Sequence, residues 1–407
     1  MKIFLVILSM FIMSGSLAQT LDNYIIVAVE NNPGLKARYS EFEAALQKIH
    51  QVKSLPDPTL SMSAFGQMVE TRVGPQRAIF ILNQMFPWIG ALKAQGDAMG
   101  YLAESKFQAW ADSRNELIFK VKSAWYPIYD LDQTIKYQKE NKLILETFKT
   151  LSLTRFKNGT GAMVDVIRVD IMLDDIITEL KILEDKRKPL LSQINKLLNQ
   201  DFNTPLEIKD TILPDINLPV FSMDSILSNN PKLKEVEKKM KAWQQQGIVA
   251  KKQGMPKFGI GLNYTIIGER TDMDVPDNGK DAIMPMLSVS LPIYRKKYKA
   301  AYKESEFMRF ALQETKIDLS NELLSNYEMS YFELSKAIEE YKLFSSQMEK
   351  TDQASNLLMA SYSNSGKDFE EVLRMQQMLY KYKINTSSAI KNYFIAKAKL
   401  DYLSAKN

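Results

Sequence analysis

The chain repeats itself at a long interval, and this duplication constrains the fold more than any other feature. The hexapeptide NNPGLK at 31–36 returns as NNPKLK at 229–234, which is 198 positions later. Three further pairs of landmarks keep the same order: Pro58 with Pro256, FPW at 86–88 with LPI at 291–293, and FKNG at 156–159 with YSNS at 362–365. The matched order predicts two copies of a unit of roughly 200 residues, which is too long for a solenoid repeat.

Each copy reads as helix, strand, loop, strand, long helix, turn and helix. The first copy is predicted to span 19–200 and the second 221–407. The segment that joins them, 201–220, contains three prolines. Because proline removes a backbone donor and blocks a continuous helix, we expect an irregular linker that packs around the helices.

A short apolar stretch opens the chain. Lys2 precedes the apolar residues 3–13, and the small residues Ser16 and Ala18 follow. A positive start, a short apolar run and small residues are typical of a secretory signal peptide, so we expect cleavage after Ala18 and export of the protein. The remaining sequence has no run of about 18 apolar residues, so any crossing of a membrane must be made by strands.

Composition argues against several classes of function. The absence of Cys removes disulfides and thiolate sites, and a single histidine, His50, disfavours His-based catalysis. The net charge of +5 comes from 53 basic and 48 acidic residues without a basic patch interleaved with aromatics, so nucleic acid is not an expected partner. No nucleophile–base pair, phosphate loop or metal-spaced cluster is present. We therefore expect no enzyme: no catalytic residue, no cofactor and no metal site.

Four segments alternate apolar with small or polar residues, at 58–67, 77–86, 257–267 and 283–292. In the third, the apolar residues occupy the even positions and glycine, asparagine and threonine the odd ones. This period of two fits strands between lipid and a wet lumen, and it also fits the half-buried sheet of a soluble protein. A length of about 9–11 residues is what a tilted strand needs to cross the hydrocarbon layer.

Four strands are too few to close a transmembrane barrel within one chain, because the smallest single-chain barrels have about eight. An open sheet edge in lipid would leave backbone groups unpaired, at a cost of several kcal/mol each. If these strands span a membrane, several chains must pool them. The sequence then predicts an obligate oligomer.

Two helical patterns, at about 91–155 and 295–361, would each extend roughly 100 Å at the rise of an α-helix. Within the second, apolar and aromatic residues step by four and three, as in a coiled-coil seam: Tyr327, Tyr331, Leu334, Ile338 and Tyr341. The shorter helices, 21–53 with 163–200 and 221–252 with 369–405, reach a similar length when stacked in pairs. Each copy is predicted to form one continuous rod and one rod of two stacked helices.

Strand pairs, paired rods and a tandem repeat together resemble the TolC-like outer-membrane efflux proteins of Gram-negative bacteria. The likeness covers the whole chain after the signal peptide. Its sharpest local match is 156–166, where an aromatic, a glycine three positions later and then Asp-Val match the family's hairpin at the periplasmic tip. The second copy, 362–373, is looser, since its glycine comes one position late and Glu371 stands where Asp is usual.

The resemblance implies a mainly α fold with a membrane β part: a long α-helical coiled-coil barrel plus four strands per chain, pooled into a trimeric 12-stranded β-barrel. It implies a homotrimeric channel-tunnel in the lipid of the cell outer membrane with a long periplasmic extension. The implied partners are a periplasmic adaptor protein and an inner-membrane pump, for which the channel is the exit duct in efflux or secretion. The cargo stays open among drugs, metal cations and proteins. The alternative is a structural coiled-coil protein of the outer membrane or surface without a transport role.

The resemblance also points to candidate site residues. The adaptor-docking tips are expected in the two interhelical turns, 156–163 and 362–369, at Gly159, Thr160, Gly161, Ser365, Gly366 and Lys367. Glycine gives a turn its backbone freedom, and a carboxylate suits a helix N-terminus. A periplasmic gate is expected at Glu370, Glu371, Arg374, Asp165 and Arg168, where the two arginines occupy equivalent positions and are predicted to form interhelical salt bridges. A solvated helix face is the alternative for these charges.

Overall fold

The computed structural model describes residues 20–206, 208, 212–218, 223–365 and 369–406. Within them both copies have the same order of elements. The first contains α1 (Leu21–Asn31), α2 (Pro33–Lys53), β1 (Thr59–Thr71), β2 (Gly74–Phe86), α3 (Ala91–Lys157) and α4 (Met163–Leu198). The second contains α5 (Met223–Asn229), α6 (Pro231–Gln253), β3 (Lys257–Ile267), β4 (Ala282–Ser290), α7 (Lys296–Ser365) and α8 (Phe369–Leu403). Helix accounts for 72% of the chain, so the mainly α fold class is confirmed. The predicted signal peptide lies outside the described residues.

The chain divides into two compact units that do not coincide with the two sequence copies. The first unit takes the described parts of Met1–Lys36, Ser113–Ser228 and Leu323–Asn407, and the second takes Ala37–Asp112 and Asn229–Glu322. The boundaries predicted at 19–200 and 221–407 therefore describe the duplication and not the compact bodies. The reason is that α3 and α7 are long enough for each to contribute to both units.

The strands of the second unit form one antiparallel sheet in the order β1-β2-β3-β4. Leu60 pairs with Leu82, Leu82 with Leu262, and Leu262 with Pro285, so this row of apolar residues lies on one face of the sheet. The period of two is clear in β1 and β3, whereas β2 and β4 carry apolar residues on both faces. In the described sheet β1 and β4 are the outer strands, each paired on one side.

The hairpin between β1 and β2 is tighter than the sequence suggested. A polar loop was expected after residue 67, but β1 continues to Thr71 and β2 begins at Gly74, which leaves a two-residue turn. Gly74 has φ 127°, and a Cβ there would lie 1.8 Å from the carbonyl oxygen of Gly268. Only glycine fits this close approach, and it lets the pairing extend to Thr71 and Gly74.

Two predicted helices are each broken once. The predicted helix 21–53 is interrupted at Asn32, and the predicted helix 221–252 is interrupted at Asn230. Each asparagine caps the helix that a proline begins: the side chain of Asn32 accepts from the Leu35 N–H at 3.1 Å, and that of Asn230 accepts from the Lys232 N–H at 3.0 Å. The duplicated NNP motif is therefore a helix start, because asparagine is a favoured N-cap and proline a favoured first residue.

The long helices otherwise follow the prediction. α3 continues through Pro127, and on α7 the seam residues Tyr327, Leu334 and Ile338 are buried. The described part of the linker contains no helix. It is fastened to α4 by Arg187, which forms an ion pair with Asp132 at 3.0 Å and donates to the Leu206 carbonyl at 2.9 Å. Among the described helices, none combines the length and apolarity needed to cross a bilayer.

Candidate functional site

The turn between α3 and α4 is built around a left-handed glycine. Gly159 has φ 73°, its N–H donates to the Phe156 carbonyl at 3.0 Å, and the Thr160 N–H donates to the Arg155 carbonyl at 2.9 Å. These two bonds are the Schellman ending of a helix, which favours glycine at the left-handed position. Gly159 and Thr160 are exposed, so the turn presents backbone and small side chains to the solvent.

Gly161 is a glycine for a different reason from the one expected. It is not among the residues with positive φ. A Cβ at this position would lie 3.0 Å from the Cβ of Arg155 and 3.3 Å from the Phe156 nitrogen. The residue therefore allows the chain to pass close to the end of α3, and backbone freedom is not required of it.

Asp165 lies in the first turn of α4, as the sequence predicted. No side chain caps this helix at Ala162. A carboxylate in the first turn interacts favourably with the positive end of the helix dipole. Asp165 also lies 3.7 Å from Arg168, one helical turn further along.

Arg155, which the sequence analysis did not select, joins the two copies near their turns. Its Nη1 donates to the Tyr362 carbonyl at 3.0 Å, and its guanidinium lies 4.9 Å from the centre of the Tyr362 ring. Tyr362 is only 1% exposed and packs against Phe369, with ring centres 4.7 Å apart. Burial raises the pKa of the Tyr362 hydroxyl; Arg155 opposes this shift and Asp165 adds to it. The ends of α3 and α7 are thus held together.

A buried apolar cluster surrounds this contact. It takes side chains from all four helices that flank the turns: Leu145, Phe148, Val169, Leu173, Ile176, Tyr362, Phe369, Val372 and Leu373. Because Tyr362 belongs to this cluster, α7 extends to Ser365, past the predicted start of the second turn at 362. Of the aromatic residues at equivalent positions of the two copies, Tyr362 belongs to this cluster, whereas Phe156 is 43% exposed.

The structure separates the five gate candidates into two groups. Arg168 of α4 bridges to Glu370 of α8 at 3.0 Å, and it also lies beside Asp165. Arg374 pairs instead with Glu371 on its own helix. An interhelical bridge was expected for both arginines; Arg374 departs from it because a carboxylate three residues earlier on the same helix is within reach.

The second tip is described only at its borders. Ser365 is the last residue of α7, and α8 begins at Phe369. The predicted docking residues Gly366 and Lys367 lie outside the described residues. Among the residues that are described, no group of three or more His, Asp or Glu side chains is arranged to hold a metal ion.

Comparison with known proteins gives a match in structure alone. No protein-family model matches the sequence, and no curated protein matches it either. The outer-membrane channel OprN superposes with a TM-score of 0.77 at 16% identity, covering 95% of this chain and 90% of that chain. The outer-membrane protein VceC from Vibrio cholerae gives a TM-score of 0.75 at 14% identity, covering 94% and 95%.

The chain has the TolC-like fold. The open state of the Neisseria gonorrhoeae MtrE outer-membrane channel matches as well, with a TM-score of 0.73 at 14% identity over 95% of this chain and 88% of that chain. The TolC-like fold combines a helical tunnel with a strand-based barrel part, and this chain supplies long helices and a four-stranded antiparallel sheet. The solved proteins that share the TolC-like fold here are channels and not enzymes.

Proposed function

We propose that this chain assembles as a homotrimer into a channel-tunnel of the outer membrane. In this proposal it is the exit duct of a tripartite efflux or secretion system and extends into the periplasm. The observation that carries the proposal is the four-stranded sheet, which has an exposed apolar face and two unpaired edges. Its TolC-like fold, shared with outer-membrane channels, supports the same conclusion.

The apolar face is large and continuous. The strand register places these exposed side chains on it: Leu60, Met62, Leu82, Phe258, Ile260, Leu262, Ile283, Leu287 and Val289. Leu287, at 86% exposed, is the extreme case. A soluble monomer rarely leaves an apolar patch of this kind uncovered, whereas lipid covers it at no cost. We assign this face to the membrane.

β3 contributes small and polar residues to the opposite face, which suits a wet lumen, whereas β2 and β4 also place Ile79, Ile81, Met284 and Met286 there. Gly259 and Gly261 of β3 lie there with Asn83, Met85 and Ser288. A Cβ on Gly259 would lie 2.3 Å from the Ser288 hydroxyl and 2.5 Å from the Met85 sulfur. The glycines of β3 therefore allow the neighbouring side chains of β2 and β4 to pack closely on this face.

The sheet edges favour assembly with further copies. β1 and β4 each have one strand neighbour, so their outer backbone groups would be unpaired in lipid. Pairing β1 of one copy with β4 of the next removes every edge once the ring closes. Three copies of this sheet give twelve strands, and the TolC-like fold favours an assembly of three copies.

We assign adaptor docking to the two turns and gating to the charges beside them. The first turn offers the exposed residues Gly159 and Thr160, and the sequence places Ser365, Gly366 and Lys367 at the second. Arg168 and Glu370 bridge α4 and α8 next to the turns, where a contact between helices restrains their separation. The periplasmic adaptor would dock at the turns and connect the channel to an inner-membrane pump.

The alternative is a structural coiled-coil protein anchored in the outer membrane or at the surface. It would also use the apolar sheet face, but it would need no lumen. Conductance separates the two functions, because only a channel lets ions cross the bilayer.

The first test is the mass of the purified protein in detergent, followed by single-channel recording in planar bilayers. We expect a trimer with a small, steady conductance. A monomer without conductance would contradict the proposal that several copies pool their strands into one barrel. A trimer without conductance in any condition would favour the structural alternative. Deletion of the gene tests the efflux role separately: a duct predicts hypersensitivity to drugs, metals or detergents, and the structural alternative predicts unchanged tolerance.

A further inference from the structure

A pocket lies where the second copy passes from sheet to helix. It has a volume of about 510 Å³ and is formed by the last turn of α6 and the first turns of α7. The side chains that define its chemistry are four cations and two tyrosines: Lys251, Arg295, Lys299, Lys303, Tyr298 and Tyr302. Gly254 lies three residues before β3, and Arg295 follows β4 by five residues, so the pocket adjoins one end of the sheet.

The pocket carries an unneutralised positive charge. Glu306 is the only carboxylate among its lining residues, against four cations. Within the described part of the chain, Arg295, Lys299 and Lys303 take part in no ion pair. Lys251 is held in place by the Tyr302 ring, with its Nζ 4.3 Å from the ring centre. The cations of the pocket outnumber its carboxylate by four to one, a charge balance that favours an anion.

The first copy provides an internal comparison. Lys53 is the equivalent of Lys251 at the offset of 198, and it lines a pocket of about 280 Å³ at the same junction. That pocket contains one cation and two carboxylates, Asp97 and Glu104. The same scaffold therefore forms a junction with the opposite charge balance.

The difference arises at the start of the long helices. At the offset of 205, Gly90, Ala94 and Ala98 of the first copy stand where the second copy has the pocket cations Arg295, Lys299 and Lys303. Since α3 begins without these cations, helix formation after a strand does not require them. The basic residues of the second copy must be explained by what they contact.

Exposed apolar residues border the cations. Leu291, Ile293 and Tyr294 lie between the end of β4 and Arg295, and their side chains are 67%, 71% and 78% exposed. Their neighbours on β4, Leu287 and Val289, belong to the apolar face assigned above to lipid. Apolar residues that give way to tyrosine and then to cations match the order of acyl chains, interface and headgroups in a bilayer leaflet.

We propose that this pocket binds the phosphate headgroup of an anionic phospholipid from the leaflet on the helical side of the membrane. The inference rests on the proposed function, because it needs the sheet to lie in a bilayer. Arg295 supplies planar paired donors for phosphate oxygens, and the lysines supply point charges around them. Tyr298 and Tyr302 line the same pocket and suit the interface level. The first copy, with its acidic pocket, binds no such lipid.

The experiment uses the full chain in nanodiscs that contain equal amounts of phosphatidylglycerol and phosphatidylcholine. Native mass spectrometry counts the lipids that stay bound when the protein is released from the nanodisc, and it also gives the mass of the oligomer. We expect selective retention of phosphatidylglycerol. The double variant Lys251→Gln/Lys299→Gln should retain about 25-fold less of it, because the loss of each of the two basic contacts with an anionic lipid gives about fivefold.

The matched control is Lys53→Gln/Lys93→Gln, which removes the same charge at the junction of the first copy and should leave retention unchanged. Equal retention of both lipids by the unaltered protein, or equal losses in the two double variants, would overturn the inference. Displacement of the lipid by soluble glycerol phosphate would assign the pocket to a free phosphate compound and overturn the lipid as its source. Failure to insert into the nanodisc would overturn the proposed function itself, and the inference with it.

Discussion

Gly159 is the residue whose identity the first turn depends on most. Its φ of 73° lies in the left-handed region, while no other atom lies within 4 Å of the Cβ that a substitution would add. Gly159→Ala therefore introduces backbone strain without a steric clash, at a cost of about 1–2 kcal/mol. We expect the midpoint of thermal unfolding in detergent, measured by circular dichroism, to be lower than that of the unaltered protein.

Gly100 provides the opposite case. It lies inside α3, its φ is not positive, and a Cβ there also meets nothing within 4 Å. Gly100→Ala should raise the unfolding midpoint or leave it unchanged, because glycine within a helix is less stable than alanine by about 0.5–1 kcal/mol. If both variants shift the midpoint in the same direction, the strain assigned to Gly159 is absent.

At the residue scale, the sequence predicted the turn at Gly159 but not the contact made by Arg155. A glycine after an aromatic and before a new helix is a local signal, and it predicted the position of the turn. The contact between Arg155 and Tyr362 joins residues 207 positions apart, and an arginine near a helix end is ordinarily a solvated side chain. The Tyr362 carbonyl is available to Arg155 because it lies in the last turn of α7, where carbonyls have no partner within the helix.

At the scale of elements, the ion pair between Arg168 and Glu370 is expected to restrain α4 against α8. Arg168→Gln and Glu370→Gln should each raise single-channel conductance or open time. The double variant should have no larger effect than either single variant, because each substitution removes the same interhelical ion pair. The side chains are 42% and 73% exposed, so the pair contributes less than about 1 kcal/mol, which is a change of less than about fivefold in the opening equilibrium. High salt should reduce the difference from the unaltered protein.

Arg374→Gln is the matched control for this prediction. It removes an arginine at the equivalent position, but the pair that it breaks lies within α8. We expect no change in opening. If Arg374→Gln opens the channel as much as Arg168→Gln does, the gate depends on the general charge of the helix face and not on a bridge between helices.

The elements themselves were predictable where their signal was local. Alternation placed all four strands, and helical periodicity placed the long helices, because both patterns are set by burial along a single segment. The breaks at Asn32 and Asn230 were missed even though the NNP motif carries the signal for a helix start. The tight turn at Gly74 was missed for another reason: it depends on the approach of Gly268 from the other copy, which no local pattern contains.

At the scale of the whole molecule, the proposed function makes one chain an incomplete unit that needs further copies. The described sheet has two open edges and an apolar face that none of the described residues covers. The sequence could predict this incompleteness by counting strands, since four are too few to close a barrel. It could not fix which strands meet, because the pairing of β1 with β4 of another copy involves no contact within one chain.

Cysteine cross-linking tests that pairing, and the absence of Cys from the natural sequence provides a clean background. Ser61 of β1 and Ser288 of β4 lie on the same face of the sheet, at its two opposite edges. In the variant Ser61→Cys/Ser288→Cys, and in a companion that uses Ser290→Cys, mild oxidation should yield covalent dimers and trimers on a denaturing gel. The control pairs Asn263→Cys with Met284→Cys, which are neighbours within one chain and should link without any increase in mass. Covalent dimers as the end point in every edge variant would contradict a closed ring of three, and an absence of cross-links between copies would contradict the pooled barrel.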